Sequence, residues 1–139
     1  MDNKELIRLA LEARQMAYAP YSKYKVGAAL LTTQGKVYKG CNIENAAYTP
    51  TNCAERTAFF KAVSEGEREF EAIAIVGGAM DNPTDYAYPC GVCRQVMMEF
   101  CNPERFRVIT AVSEEQYVEQ TLAKMLPHGF GPQNLQEQR

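Results

Sequence analysis

The chain has 139 residues, of which 46% are hydrophobic and 23% are charged. This is an ordinary globular composition, and the length suits one hydrophobic core, so we expect a single domain over residues 1–139. Fifteen Lys and Arg residues oppose 17 Asp and Glu residues, which gives a net charge of −2. No long block of like charge occurs, so a broad nucleic-acid-binding face is not expected.

Targeting and membrane signals are not evident in the sequence. No apolar run approaches the ~18 residues of a membrane-spanning helix. The first 14 residues mix acids and bases, unlike a signal peptide. We therefore expect a soluble, cytoplasmic protein with no membrane partner. Its five cysteines are an odd number, which favours metal or thiol chemistry over a disulfide framework.

Hydrophobic periodicity and the Gly and Pro positions predict the elements of the first half. They are an amphipathic helix that begins behind Asp2 or Asn3 and ends at Pro20, hairpin strands at 24–31 and 37–41 around a turn at 34–35, a loop at 42–52, and a helix at 53–65 with Gly66 as its C-terminal cap.

The second half alternates buried strands with helical segments. Its predicted elements are a strand at 72–76, a loop at 77–88, a helix at about 91–100, a strand at 107–112, an ambiguous region at 117–126 that combines a short strand with a helical turn, and a polar tail at 129–139. A hairpin followed by this alternation predicts an α/β fold, specifically a three-layer α/β/α sandwich with a mixed, roughly five-stranded sheet.

Three cysteines lie at the starts of two predicted helices. Cys53 opens the run Cys-Ala-Glu-Arg, and Cys90 and Cys93 belong to Pro-Cys-Gly-Val-Cys-Arg. A helix N-terminus favours the thiolate form, which binds metal. Helical residues three apart have Cβ atoms roughly 5–6 Å apart, close enough to share one Zn²⁺. Three thiolates without a fourth evident ligand indicate a catalytic zinc with an open position for water.

Glu55 and Arg56 fit the chemistry of such a site. Side chains of the first helical turn tilt toward the N-terminus, so Glu55 can carry protons for groups that lie beyond the helix end. Three thiolates on Zn²⁺ sum to a charge of −1, which Arg56 is placed to compensate. A Cys-x-Glu run followed by Pro-Cys-x-x-Cys is the signature of zinc deaminases.

From about Leu6 to Leu135, the chain closely resembles the small, homotetrameric, zinc-dependent cytidine deaminases. The segments that carry the resemblance, beside the two cysteine motifs, are residues 18–22, 26–30, 40–46, 126–127 and 130–132. The resemblance implies hydrolytic deamination of cytidine and 2′-deoxycytidine to the uridines with release of ammonia, as in pyrimidine salvage. It also implies one Zn²⁺ per subunit held by Cys53, Cys90 and Cys93, with Glu55 as proton shuttle and Arg56 hydrogen-bonded to the thiolates.

The resemblance implies a nucleoside-binding set as well. Its members are Asn42 and Glu44 for the ribose 3′-hydroxyl, the backbone of Ala54 for the pyrimidine, Tyr24 on the base where the family commonly has phenylalanine, and Tyr48 and Phe130 across subunit boundaries of a homotetramer. An amide and a carboxylate can together satisfy a hydroxyl as donor and acceptor. In an extended segment, Asn42 and Glu44 also share one side.

One feature fits this family less closely, and two alternatives stay open. The loop at 77–88 looks a few residues longer than the family's, which could alter a subunit contact or the pocket rim. One alternative is a deaminase of another aminated nucleoside, such as an antibiotic, or of a base in a polynucleotide. The other is a noncatalytic zinc-stabilised module in which Cys41 or Cys101 completes a four-sulfur site.

In the catalytic interpretation, Cys41 and Cys101 are packing thiols and His128 is a loop residue.

Overall fold

The computed structural model of the chain describes residues 1–79, 83 and 85–136. Their elements, in chain order, are α1 (Asn3–Arg14), β1 (Tyr24–Thr32), β2 (Val37–Cys41), α2 (Ala54–Ser64), β3 (Phe70–Ala79), α3 (Gly91–Phe100), β4 (Arg107–Ala111), β5 (Tyr117–Thr121), α4 (Leu122–Met125) and α5 (Pro132–Gln136). The predicted hairpin, the helices at 53–65 and 91–100, and the strand at 107–112 are thereby confirmed to within one residue. The ambiguous region resolves into β5 followed by α4.

The described strands form one mixed sheet in the order β2-β1-β3-β4-β5. β3 and β4 are parallel, and the other neighbours are antiparallel. Side chains alternate across each strand, so Ala28 and Leu30 of β1 pack under α2 and α3, whereas Ala29 and Leu31 pack under α1. The predicted α/β/α layering with a five-stranded sheet is confirmed.

Three expectations about element bounds are wrong. The first helix ends at Arg14 and not at Pro20, because the chain leaves it through i to i+3 turns and Tyr18 then bridges Ile43. The strand at 72–76 is the centre of a longer β3, since Gly77 and Gly78 keep their pairing with β1 despite their low strand propensity. The tail at 129–139 contains α5. The loop expected at 77–88 includes residues 80–82 and 84, which lie outside the described residues, as do 137–139.

Within the described residues, no helix combines the length and apolar character that are needed to cross a membrane.

Gly40 fixes the position of α2 on the sheet. A Cβ atom at residue 40 would lie 2.5 Å from the carbonyl oxygen of Ala54 and 2.5 Å from the amide nitrogen of Ala58. Both contacts are with helix backbone, so no side-chain rotation can relieve them. The missing side chain therefore lets the first turns of α2, which carry Glu55, lie directly on β2.

Replacement of Gly40 by alanine is expected to force α2 away from the sheet. Overpacking of this kind typically costs about 1–3 kcal/mol in the free energy of unfolding, and urea denaturation measures that loss. Lys39→Ala is the matched control, because Lys39 is an exposed neighbour on the same strand. Equal free energies of unfolding for Gly40→Ala and the unchanged protein would contradict this close packing.

Candidate active site

The three motif cysteines lie together where α2 and α3 begin. Cys53 is the N-cap residue of α2, Cys90 is the N-cap residue of α3, and Cys93 is the third residue of α3. The Sγ atoms of Cys53 and Cys90 are 4.0 Å apart, and those of Cys90 and Cys93 are 3.5 Å apart. All three sulfur atoms lie within 4.8 Å of one another. Two helix N-termini thus converge on one thiol cluster.

The spacing of the cluster suits a zinc ion. Tetrahedral coordination with Zn–S bonds of about 2.3 Å places neighbouring sulfurs ~3.8 Å apart, between the two measured distances. Among the described residues, neither Cys41 nor Cys101 belongs to the group. Cys101 is instead buried in the core, and His128 is an exposed residue of the connection between α4 and α5. The four-sulfur alternative therefore has no fourth cysteine at the cluster.

The thiols differ in how readily they lose their protons. Hydrogen bonding from the Cys93 thiol, and then from the Arg56 guanidinium, lowers the pKa of Cys53 to about 5. Arg56 Nη2 donates to the Cys53 sulfur at 3.2 Å. Donation to Cys53, together with burial, raises the pKa of Cys93. A metal that binds all three sulfurs would therefore displace a proton from Cys93.

Glu55 lies in the first turn of α2 and is 5% exposed. Burial, with a smaller contribution from the neighbouring Cys53 thiolate, raises the pKa of Glu55 to about 7. A carboxyl group with a pKa near neutrality can both accept and donate a proton at that pH, as general acid–base catalysis requires. The fold thus gives Glu55 the protonation behaviour expected of a proton carrier.

A pocket of about 360 Å³ opens beside the cluster. Five of the residues singled out in the sequence line it, namely Tyr24, Asn42, Cys53, Glu55 and Cys90. The lining residues that sequence reasoning missed are Val26, Thr51, Asn52, Tyr86, Ala87 and Tyr88. The tyrosines at 86 and 88 fall in the segment expected to be a loop, where nothing in the sequence pattern separates a pocket wall from a solvated turn.

Asn42 and Glu44 support the same stretch of backbone. The Asn42 side chain accepts a hydrogen bond from the Val26 amide at 2.9 Å and donates one to the Tyr24 carbonyl at 2.8 Å. The Glu44 carboxylate accepts from the amides of Tyr21 and Ser22 at 2.9 and 3.1 Å, and from the Ser22 hydroxyl. Glu44 itself is not among the residues that line the pocket. Both side chains therefore hold the segment that presents Tyr24.

The remaining predicted residues lie in different surroundings. Ala54 is fully buried and begins α2, so its N–H is one of the donors without an acceptor inside the helix. Tyr48 and Phe130 are 74% and 58% exposed and do not line the pocket. Within this chain, these two aromatic residues are therefore not brought to the site.

Arg94 anchors the approach to Cys90, a contribution that the sequence reasoning missed. Its Nε donates to the Pro89 carbonyl at 2.8 Å, and its Nη1 donates to the Met125 carbonyl at 2.7 Å. The arginine therefore links the residue before Cys90 to the end of α4. The position of Arg94 directly after Cys93 in the motif was the one sequence feature that could have indicated this role.

The sequence of the chain is similar to those of known cytidine deaminases. Residues 1–110 match the model of the cytidine and deoxycytidylate deaminase zinc-binding region. The chain is 51% identical to a cytidine deaminase of Sporosarcina psychrophila, over 97% of this chain and 96% of that protein. It is 47% identical to one of Halalkalibacterium halodurans, over 99% and 100%.

A solved structure agrees with the sequence matches. The crystal structure of a cytidine deaminase from Burkholderia pseudomallei superposes with a TM-score of 0.85 at 46% identity, and covers 94% of this chain and 100% of its own. The chain thus combines this shared fold and these full-length sequence identities with a thiol cluster beside Glu55. By sequence and by structure, the chain belongs to the cytidine deaminase family.

Proposed function

We propose that the protein catalyses the zinc-dependent hydrolytic deamination of cytidine and 2′-deoxycytidine, which yields uridine or 2′-deoxyuridine and ammonia. The observation that carries the proposal is one pocket lined by two thiols of the cluster and by the buried Glu55 carboxyl group. The relatives named cytidine deaminase support the choice of cytidine. Deoxycytidine and a role in pyrimidine salvage follow from the resemblance.

Cys53, Cys90 and Cys93 would hold one Zn²⁺ per subunit. When bound, the ion supplies Lewis acidity that makes water a nucleophile near neutral pH. Three thiolates leave the site one negative charge in excess, and Arg56 compensates part of it through its hydrogen bond to Cys53. The donor set and the sulfur spacing suit this ion.

Glu55 moves the protons of the reaction. It accepts a proton from the water that attacks C4 of the base, delivers a proton to N3, and assists the departure of the amino group as ammonia. The burial that raises its pKa supports a carboxyl group that can both accept and donate a proton. The net change is the replacement of the C4 amino group by a carbonyl oxygen.

Asn42 and Glu44 retain capacity to bind a sugar hydroxyl. After the two hydrogen bonds to β1, the Asn42 amide still has one N–H and one oxygen lone pair. Hydrogen bonds, first of all from the Ser22 hydroxyl, lower the pKa of Glu44, so its carboxylate stays ionised and accepts. With Tyr24 on the base and the Ala54 backbone reading the pyrimidine, these residues form the proposed nucleoside site.

The charge of the pocket favours a neutral nucleoside. Its described lining contains Glu55 and two of the thiols but no Lys or Arg. A phosphate group would therefore meet no Lys or Arg side chain in the lining, and the net negative charge of three thiolates on Zn²⁺ would disfavour it. This observation supports a free nucleoside over a base in a polynucleotide.

We also propose a cytoplasmic homotetramer whose sites are shared between subunits. Tyr48 and Phe130 are large aromatic side chains that stay exposed on the single chain, as residues that complete a neighbour's site would be. The tetramer itself is inferred from the resemblance.

An ultraviolet assay tests the proposed function directly. The purified protein should deaminate cytidine and deoxycytidine, should lose this activity when a chelator removes the metal, and should regain it with added Zn²⁺. A nucleoside antibiotic and single-stranded DNA, assayed in parallel, test the other deaminase alternatives. X-ray absorption of the zinc protein should find three sulfurs and at least one lighter ligand. A four-sulfur shell without deaminase activity would instead identify the noncatalytic module.

A further inference from the structure

Residues 86–88 form one wall of the pocket, on a segment separate from Cys53 and from β1. Tyr86, Ala87 and Tyr88 all line the pocket, together with Tyr24. None of these three wall residues has a role in the function proposed above.

The wall is fixed to the sheet through Gly77. Asp85 forms an antiparallel bridge with Gly77, and the Ala87 methyl group packs where a side chain of residue 77 would be. A Cβ atom there would lie 2.6 Å from Ala87 Cβ and 3.3 Å from Tyr24 Cε1. The absence of a side chain at Gly77 therefore lets the wall pack beside the ring of Tyr24.

The two tyrosine rings of the wall are free to meet a ligand. Tyr86 is half-buried and Tyr88 is 48% exposed. Their ring centroids are 6.2 Å apart with 41° between the planes, so they do not cover each other by parallel stacking. Among the described residues, neither hydroxyl group has a hydrogen-bond partner, and Tyr86 and Tyr88 make no other ring contact.

We propose that Tyr86 and Tyr88 contact the bound nucleoside through their ring faces and set its affinity. This inference rests on the proposed function. A planar heterocycle gains affinity from offset or edge contacts with aromatic rings, and the wall adds two such rings beside Tyr24. Because these contacts do not involve the reacting atoms, they stabilise bound substrate and transition state alike, and so act on KM and not on kcat.

Steady-state kinetics with cytidine, and inhibition by the product uridine, test the wall. Tyr86→Ala should raise KM and the uridine inhibition constant by the same factor of about 2- to 12-fold, with kcat within about twofold. Tyr88→Ala should act in the same direction with a smaller factor, because that ring is more exposed. Tyr86→Phe keeps the ring face and should stay within about twofold of the unchanged protein.

Phe60→Ala is the matched control, because Phe60 is also 48% exposed and lies outside the pocket lining. Its KM should not change. Zinc content and the midpoint of urea denaturation identify any variant whose fold is altered. If Tyr86→Ala is such a variant, KM is compared between Tyr86→Phe, which keeps the packing of the ring, and the unchanged protein.

The outcomes separate this inference from the proposed function. Absence of cytidine deamination in the unchanged zinc protein would reject the function. If the unchanged protein is active but Tyr86→Ala and Tyr88→Ala leave both KM and the uridine inhibition constant unchanged, the two tyrosines do not set affinity, and the proposed function still stands. A loss in Tyr86→Phe as large as in Tyr86→Ala would also overturn this inference, since the hydroxyl and not the ring face would then carry the contact.

Discussion

Zinc binding and deaminase activity are expected to disappear together when Cys93 is replaced by alanine. The change removes one of three sulfurs whose mutual spacing suits a single ion, and Cys53 and Cys90 alone cannot complete the site. Loss of a direct ligand should exceed the roughly 10- to 100-fold fall in affinity that loss of an outer-shell partner causes. Metal analysis after gel filtration, together with the cytidine assay, measures both effects.

Cys101→Ala is the matched control for that experiment. Cys101 is also a buried thiol, but it belongs to the hydrophobic core under α2 and α3 and not to the cluster. The control variant should keep its zinc and its activity. A Cys93→Ala protein that retains a full complement of zinc and normal turnover would show that the ligand set is wrong.

Glu55→Gln is expected to retain zinc and to lose about 10²- to 10⁴-fold in kcat, the usual contribution of a positioned acid–base group. The amide has nearly the same shape as the carboxyl group, so the packing of α2 should survive. It cannot take a proton from water or return one to the base. Stopped or continuous ultraviolet assays over long incubations can measure the residual rate.

Glu65→Gln provides the comparison at the other end of the same helix. Glu65 is exposed and follows the last residue of α2. The kcat of the Glu65→Gln variant should therefore equal that of the unchanged protein. If Glu55→Gln kept turnover close to normal, the proton transfers would have to be assigned to another group.

Local signals account for the elements that the sequence predicted well. The hairpin is framed by alternating apolar residues and by Gly35, whose φ of 90° suits the turn. The two helices that begin at the cysteine motifs are bounded by Pro89 and by Gly66, which has a φ of 102°. Because Cys90 and Cys93 are three residues apart at a helix start, the closeness of their two sulfur atoms, 3.5 Å, followed from the spacing in the sequence.

The features that the sequence did not predict depend on contacts between distant segments. The pairing of Gly77 with Val26 extends β3, although glycine on its own favours a turn. Because Gly77 has no side chain, Ala87 packs against it, and this contact positions the pocket wall that contains Tyr86 and Tyr88. Likewise, the hydrogen bonds that tie Glu44 to the 21–22 backbone cannot be inferred from the motif that contains it.

The cysteines at the two helix starts also bear on what binding of the proposed ion would do to the fold. Cys53 and Cys90 occupy N-cap positions, yet neither thiol makes the side-chain hydrogen bond of a usual cap, a bond whose loss typically costs about 1 kcal/mol per helix. If both cysteines hold the proposed ion, each helix start gives up the stability of a usual cap for a metal–thiolate bond. One ion held by Cys53 and Cys90 would link the starts of α2 and α3, so its binding free energy would add to the stability of the fold.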